Sequence, residues 1–305
     1  MKFAKDAKGL PIDAINEQLD GDDAEVADLD RITDEIKKDV NPHRVVIDCT
    51  SSQEVAEYYE QWMSLGVDVI SPSRNIPAGP LQVYKHLCQV QKENCANWLR
   101  ESTVGSALPI LGTLRDLVET GDKVQKIRGS VSATMAYILS TFNEEIPFSE
   151  ALAQAVDKEF AEADIREDLT GSDTAKKIVI LARTLGMDVE LEDVEVESFL
   201  TEELASNENL KVEDVKVIDD IMLEKFKKAQ AEDRLLRYKF EIVRETGKCR
   251  CFLDAVDKTD PLYRLTNIEN LVAFETDRYK ASPLIVKGAA GGPQLAASGK
   301  TYSTC

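Results

Sequence analysis

Between residues 161 and 177 the sequence reads AEADIREDLTGSDTAKK, and the apolar run IVILA follows directly. Five carboxylates (Glu162, Asp164, Glu167, Asp168 and Asp173) precede the pair Lys176 and Lys177. On a helix over 172–185, Asp173 and Lys177 stand four residues apart and share a face. Two kinds of chemistry suit that pattern. In one, the carboxylates favour a helix N-terminus and form a surface ion pair, which contributes little to stability. In the other, carboxylates hold a ligand's ammonium group, and a lysine serves as proton donor or electrophile at an oxygen gaining negative charge. Spacing alone leaves both open.

The rest of the inventory narrows the chemistry. Only two histidines occur, His43 and His86, so Ser-His-Asp and histidine–metal chemistry are poorly supplied. The six cysteines are scattered, and CRC at 249–251 has the wrong spacing for a zinc knuckle. Free thiols in a reducing compartment are expected. Cys49 reads as packing on a buried strand and not as a nucleophile. A net charge of −19 and a pI near 4.6 argue against a nucleic-acid partner. No apolar run approaches the roughly 20 residues of a membrane span, and the opening MKFAKDAKGLP lacks the apolar stretch of a secretory signal. No membrane partner is expected either. At 305 residues the chain is long enough for two domains.

The elements that must position these groups follow from periodicity. Residues 24–39 read as an amphipathic helix, and 44–52 as a strand buried on both faces of a parallel sheet. A helix over 53–65, a strand over 67–75 and a helix over 81–99 continue the rhythm of a doubly wound α/β domain. Ligands bind such sheets at the carboxyl ends of strands, here Thr50, Ser51 and the 71–75 turn. No G-x-G-x-x-G follows the first strand. Beyond residue 105 the pattern is a helix after the 101–108 turn, a strand over 123–132 and two helices, the second capped by Ser149. A long helix then has Ser172 as its N-cap. Strands over 234–244, 248–257, 271–277 and 282–288 complete an α+β domain with a largely antiparallel or mixed sheet.

Six stretches carry a resemblance. VVIDCTSSQ (45–53), ESTVGSALPIL (101–111), GSVSATMAYIL (129–139), EADIREDLTGSDTAKK (162–177), DPLYRL (260–265) and LIVKGAAGG (284–292) resemble homoserine dehydrogenase. They most resemble that part of the bifunctional aspartate kinase–homoserine dehydrogenases, and they stand in family order. The opening AKGLPIDAI (7–15) is similar to the family's segment after its second Rossmann strand. The resemblance implies reduction of aspartate 4-semialdehyde to homoserine with NADPH or NADH, in threonine, methionine and isoleucine biosynthesis. It implies a homodimer paired through the 235–285 sheet, located in the cytoplasm or in a plastid. It assigns Asp173 and Lys177 as the catalytic pair, and Glu162, Asp168, Thr134 and Phe160 to the substrate. It assigns Thr50, Ser51, Arg74 and Gly292 to the cofactor. The turn with Glu101, Val104, Ser106 and Leu108 resembles the family's monovalent cation site, built from carbonyls and bound by Na or K.

The departures from the family pattern are specific. Ser73-Arg74 stands where the family has Asn-Lys, and arginine is a poor proton donor. Glu159-Phe160 stands for Gly-Tyr, and Ala133 for the glycine of an Asn-Gly-Thr turn, a strain if φ is positive there. The expected organisation is a partial dinucleotide-binding domain over 1–104 lacking the glycine loop, a substrate and dimerisation domain over 105–286, and a shortened return segment over 287–305. An inactive substrate-binding or dimerising subunit is the alternative to an active enzyme.

Overall fold

In a computed structural model the chain is described at residues 2–4, 9–11, 15, 17, 19–21, 25, 26, 28–39 and 41–302. The 7–15 segment lies largely outside the described residues. The chain divides into two compact units, Met1–Ile70 with His86–Trp98, and Ser71–Lys85 with Leu99–Cys305.

In the first unit, β1 (Lys2–Phe3) pairs antiparallel with β2 (Glu25–Val26). Helix α1 (Leu29–Lys38) follows, capped by the Asp28 carboxylate on Asp30 N. A parallel ladder then joins β3 (Val45–Ile47) to β4 (Asp68–Ile70), in a sheet of order β3-β4-β5 with β5 at Trp98–Leu99. Between β3 and β4 run α2 (Gln53–Glu57) and α3 (Tyr59–Ser64), which bury Val55, Tyr59, Trp62 and Met63. The Trp62 indole donates to Thr33 Oγ1 at 2.9 Å and so fastens α1.

Several expectations change here, among them the helix over 24–39, which begins at Leu29 because Glu25–Val26 form β2. Among the described residues β3 is an edge strand, and one of its faces is exposed, with Val45 at 48% and Ile47 at 56%, so it is not buried on both faces. Cys49 follows β3 and is exposed, which removes the packing role expected of it. The helix over 81–99 stops early: α4 spans Leu81–Glu93, and Cys95 at φ 51 turns the chain into β5.

The second unit holds a six-stranded mixed sheet of order β11-β10-β6-β8-β9-β7. Its strands are β6 (Val124–Ser130), β7 (Val194–Val196), β8 (Leu235–Val243), β9 (Lys248–Val256), β10 (Glu269–Thr276) and β11 (Leu284–Ala289). All neighbours are antiparallel except β7 with β9. The helices of this unit begin with α5 (Ile110–Glu119), α6 (Ala133–Thr141), α7 (Phe148–Asp157), α8 (Ile165–Leu169) and α9 (Ser172–Thr184). They end with α10 (Glu202–Ala205), α11 (Asp219–Ala231) and α12 (Pro293–Tyr302).

Helix α9 is nearly all buried. Ile178, Leu181 and Ala182 at 0% exposure share a core with Phe240, Val272 and Phe274 from the sheet. Period-2 alternation on β10 decides the faces: Val272 and Phe274 turn to that core, while Leu271 and Ala273 meet Leu262 and Leu265 on the other side. Cys249 and Cys251 of β9 both face inward, as their alternation requires.

Two caps differ from expectation. Pro147 is the N-cap of α7, and Ser149 lies inside its first turn, where its N and Oγ bond the Asp219 carboxylate at 2.8 and 2.7 Å. Gly171, not Ser172, caps α9. It has φ 78, and a Cβ there would come within 2.1 Å of the Tyr238 hydroxyl, so both conformation and space demand glycine.

Candidate active site

The second unit encloses a cavity of about 420 Å³. Arg74 enters it from the loop after β4, and Val131, Ser132, Ala133 and Thr134 from the junction of β6 and α6. Phe160 and Glu162 come from the segment before α8, Asp168 from α8, and Asp173 and Lys177 from the start of α9. Asn270 of β10 and the run Ala290, Gly291 and Gly292 after β11 close it.

At its charged end the groups interlock. Lys177 Nζ lies 2.6 Å from Asp173 Oδ2 and donates to Val131 O at 2.8 Å. Arg74 Nη2 is 2.7 Å from Asp173 Oδ1 and donates to Glu162 Oε1 at 2.8 Å. The Arg74–Asp173 approach is an ion contact without hydrogen-bond alignment, since Oδ1 accepts no directed bond. Lys177 is 11% exposed and Asp173 3%, so this is not the surface pair that spacing allowed. Burial works against the charged form of Asp173, but Lys177 and Arg74 together outweigh it and hold the carboxyl below its usual range.

Asp168 shows the opposite balance. Burial, with repulsion from Asp173, pushes its carboxyl up to about 7. Its Oδ2 accepts from Glu162 N at 2.9 Å, and its carboxyl also meets the Thr134 hydroxyl. Thr134 gives its one hydroxyl proton to Phe160 O at 2.8 Å, so towards Asp168 it is best placed as an acceptor from the protonated acid.

A second arginine fixes the loop that carries Arg74. The buried guanidinium of Arg183 donates to Pro77 O at 3.0 Å, Gly79 O at 2.7 Å, Val189 O at 2.9 Å and Glu190 Oε2 at 2.8 Å. Glu190 in turn accepts from Leu81 N at the start of α4.

The remaining assigned residues fall in place as follows. Ser106 lines the cavity at φ 55 and donates to Ala290 O at 2.8 Å. The Glu101 side chain is engaged with helix α5, accepting from Leu111 N at 2.8 Å and Gly112 N at 2.9 Å. Burial nevertheless raises its carboxyl above the usual value. Its carbonyl accepts from Val104 N, and the Leu108 carbonyl from Ile110 N. Thr50 and Ser51 belong to the other unit, exposed at the carboxyl end of β3, and Thr50 Oγ1 donates to Asp48 Oδ1 at 2.7 Å. Among the described residues no cluster of histidine, cysteine and carboxylate side chains could hold a metal ion.

Ala133 is the first residue of α6 and has no positive φ, so the strain expected there is absent. The strain falls on Glu159, at φ 58 in the position of the family's glycine. Sequence reasoning also missed Asn270. The strand pattern began at Leu271, and the only signal was a polar residue heading an apolar strand.

Known proteins are similar to this chain in sequence and fold. A family model described as homoserine dehydrogenase matches residues 109–301, and one described as its NAD binding domain matches residues 4–101. A chloroplastic bifunctional aspartokinase/homoserine dehydrogenase from Zea mays is 36% identical over 280 residues, 91% of this chain and 30% of that protein. A homoserine dehydrogenase from Paracoccidioides brasiliensis is 31% identical over 268 residues, 84% of this chain and 72% of that protein. The chain thus spans about 30% of the length of the bifunctional plant relatives it matches. A solved Candida auris protein of unknown function superposes with a TM-score of 0.83 at 30% identity, covering 92% of this chain and 80% of that one. With both of its parts matched in order, the chain belongs to the homoserine dehydrogenase family.

Proposed function

We propose that the chain interconverts aspartate 4-semialdehyde and homoserine with NADPH or NADH. The observation that carries this reading is Lys177, whose ammonium is held between the Asp173 carboxylate and Val131 O inside a cavity also lined by Glu162 and Asp168. A lysine fixed in that way is a proton donor poised at one point of the wall. In the reducing direction Lys177 gives its proton to the aldehyde oxygen as that oxygen becomes an alkoxide. In the oxidising direction it takes the proton back from the hydroxyl. Asp173 keeps the lysine oriented, and Arg74 adds fixed positive charge beside it.

Glu162 and Asp168 seat the amino group of the substrate, Thr134 offers its backbone amide to the substrate carboxylate, and Phe160 packs behind it. Arg74 already occupies Glu162 Oε1, so an ammonium group competes with a guanidinium for that carboxylate.

The nicotinamide ring, when bound, gives or takes hydride at the carbon bearing the oxygen. The cavity wall suits a flat ring at Gly291 and Gly292. Gly292 has φ 97 and open space where a Cβ would stand, while a Cβ on Gly291 would press on Ile268 at 3.0 Å. Thr50 and Ser51 complete the cofactor assignment, with Arg74 and Gly292, and the match of residues 4–101 to an NAD binding domain supports it. The carbonyls of Glu101, Val104, Ser106 and Leu108 are the proposed ligands of a Na or K ion. Those of Glu101 and Leu108 accept one amide each and keep a second lone pair. A homodimer through the 235–285 sheet belongs to the same reading.

The test is homoserine-dependent reduction of NADP and NAD by the purified chain beside Lys177→Ala. Turnover that disappears in the variant is expected. A folded wild-type chain that reduces neither nucleotide, or a variant as active as wild type, would overturn the reading.

A further inference from the structure

We propose that Asn270 is a second hydrogen-bond donor to the reacting oxygen, working beside Lys177. The inference rests on the function proposed above and adds a group to it.

The pairing of β10 with β6 sets Leu271 opposite Ser130 and Val272 opposite Gly129. Continued by one step, that antiparallel register sets Asn270 opposite Val131. Val131 O is the carbonyl that receives Lys177 Nζ at 2.8 Å. Asn270 also shares the face of β10 that bears Val272 and Phe274, the face turned to the core containing α9. On its other side, β11 places Gly288 directly opposite, so no side chain stands across from it. The amide of Asn270 and the ammonium of Lys177 thus approach one region of the cavity from neighbouring strand and helix.

The amide itself is unsatisfied. Asn270 is 2% exposed and forms part of the cavity wall, and its Oδ1 is enclosed without a hydrogen-bond partner. Among the described residues its Nδ2 makes no hydrogen bond either. A buried primary amide without partners is costly, and natural interiors rarely keep one. On a cavity wall beside a proton donor, a group of this kind is explained by what enters the cavity. The substrate oxygen in that region is an acceptor that gains negative charge during reduction. Nδ2 is the donor it needs beyond Lys177, carried on the strand that forms the cavity wall. A preorganised amide donor of this type stabilises the alkoxide more than the aldehyde, so its effect belongs in kcat.

The experiment compares wild type, Asn270→Ala and Asn270→Asp, reading kcat, the KM values for homoserine and for the nucleotide, and homoserine binding by calorimetry. Asn270→Ala is expected to lower kcat by about 100-fold, the scale for one lost oxyanion donor, with the nucleotide KM unchanged. Asn270→Asp is nearly isosteric but sets a carboxylate against the alkoxide, so it should lower kcat further. The Kd for homoserine should rise about three- to tenfold in Asn270→Ala, through loss of one hydrogen bond to its hydroxyl oxygen. That binding arm decides the question even if wild type does not turn over, which separates failure here from failure of the proposed activity. Unchanged kcat and unchanged homoserine Kd would overturn the inference. So would a rise confined to the nucleotide KM, which would place the amide on the carboxamide of the nicotinamide ring instead. Both variants should retain the wild-type thermal midpoint within a few degrees, because the amide makes no bond in the empty protein.

Discussion

The guanidinium of Arg74 stands 2.7 Å from one oxygen of Asp173 while the Lys177 ammonium stands 2.6 Å from the other. One buried carboxylate therefore orients two cations at once. With Asp173 charged, Lys177 and Arg74 present positive charge to the cavity without repelling each other apart.

Replacing Lys177 by methionine keeps the apolar stem and removes the proton. The expected result is a fall in kcat of roughly 100- to 10,000-fold, with homoserine binding retained. Steady-state kinetics alongside calorimetry would show whether the loss lies in chemistry or in binding.

Asp173→Asn should be more damaging to the site than its size implies. It leaves both Arg74 and Lys177 without their shared counter-charge, at a cost of about 3–5 kcal/mol for breaking a buried pair from one side. Urea denaturation would read this as a lower midpoint. A variant as stable as wild type would show that the ion contacts are not maintained in solution.

The raised carboxyl of Asp168 gives a signed pH dependence. Between the ordinary aspartate value of 3.8 and about 7, the folded protein holds a proton that the unfolded chain has released. The contribution is fully present below pH 4 and is lost as pH rises through 7, by at most about 1.4 kcal/mol per pH unit. Asp168→Asn should flatten the stability profile across that range. In wild type, homoserine should bind more tightly as pH passes 7, because the ionised Asp168 then attracts its ammonium. Equal profiles for variant and wild type would place the proton elsewhere.

Glu159 sits at φ 58, where a side chain costs roughly 1–2 kcal/mol. Part of that is offset by the flexibility that glycine restores to the unfolded chain. Glu159→Gly should therefore stabilise the protein by up to about 1 kcal/mol, visible as a thermal midpoint a few degrees higher. A lowered midpoint would mean that the Glu159 side chain contributes more than its backbone strain removes.

Arg183→Met would strip Pro77 O and Gly79 O of their buried donor and leave Glu190 with one cation fewer. A loss of about 2–4 kcal/mol is expected. The loop bearing Arg74 should loosen as well, and hydrogen exchange over 74–80 would show it as faster than wild type.

Local rules carried much of the candidate site. An i,i+4 relation needs nothing beyond helix geometry, so Asp173 and Lys177 were paired by the sequence itself, and the turn of 161–171 brought Glu162 and Asp168 near them. The mixed sheet was likewise legible, because β8 alternates apolar and charged residues and β10 is a short continuous apolar run. Family motifs in order supplied roles that spacing could not.

What the sequence left undecided depends on contacts between distant residues. Arg74 and Glu162 meet across 88 positions, and Asn270 reaches the neighbourhood of Lys177 only through the register of β10 on β6. Whether Asp173 and Lys177 form a surface ion pair or a buried one was settled by the sheet packed beneath α9. The proton on Asp168 was settled by burial and the neighbouring charge of Asp173. Strand β3 failed as a buried strand for the same reason in reverse: its apolar residues specify a strand, but burial requires a partner surface. Periodicity and chemical type are properties of the chain, whereas burial, and with it the shifted carboxyls of Asp168 and Asp173, exists only once remote elements have packed.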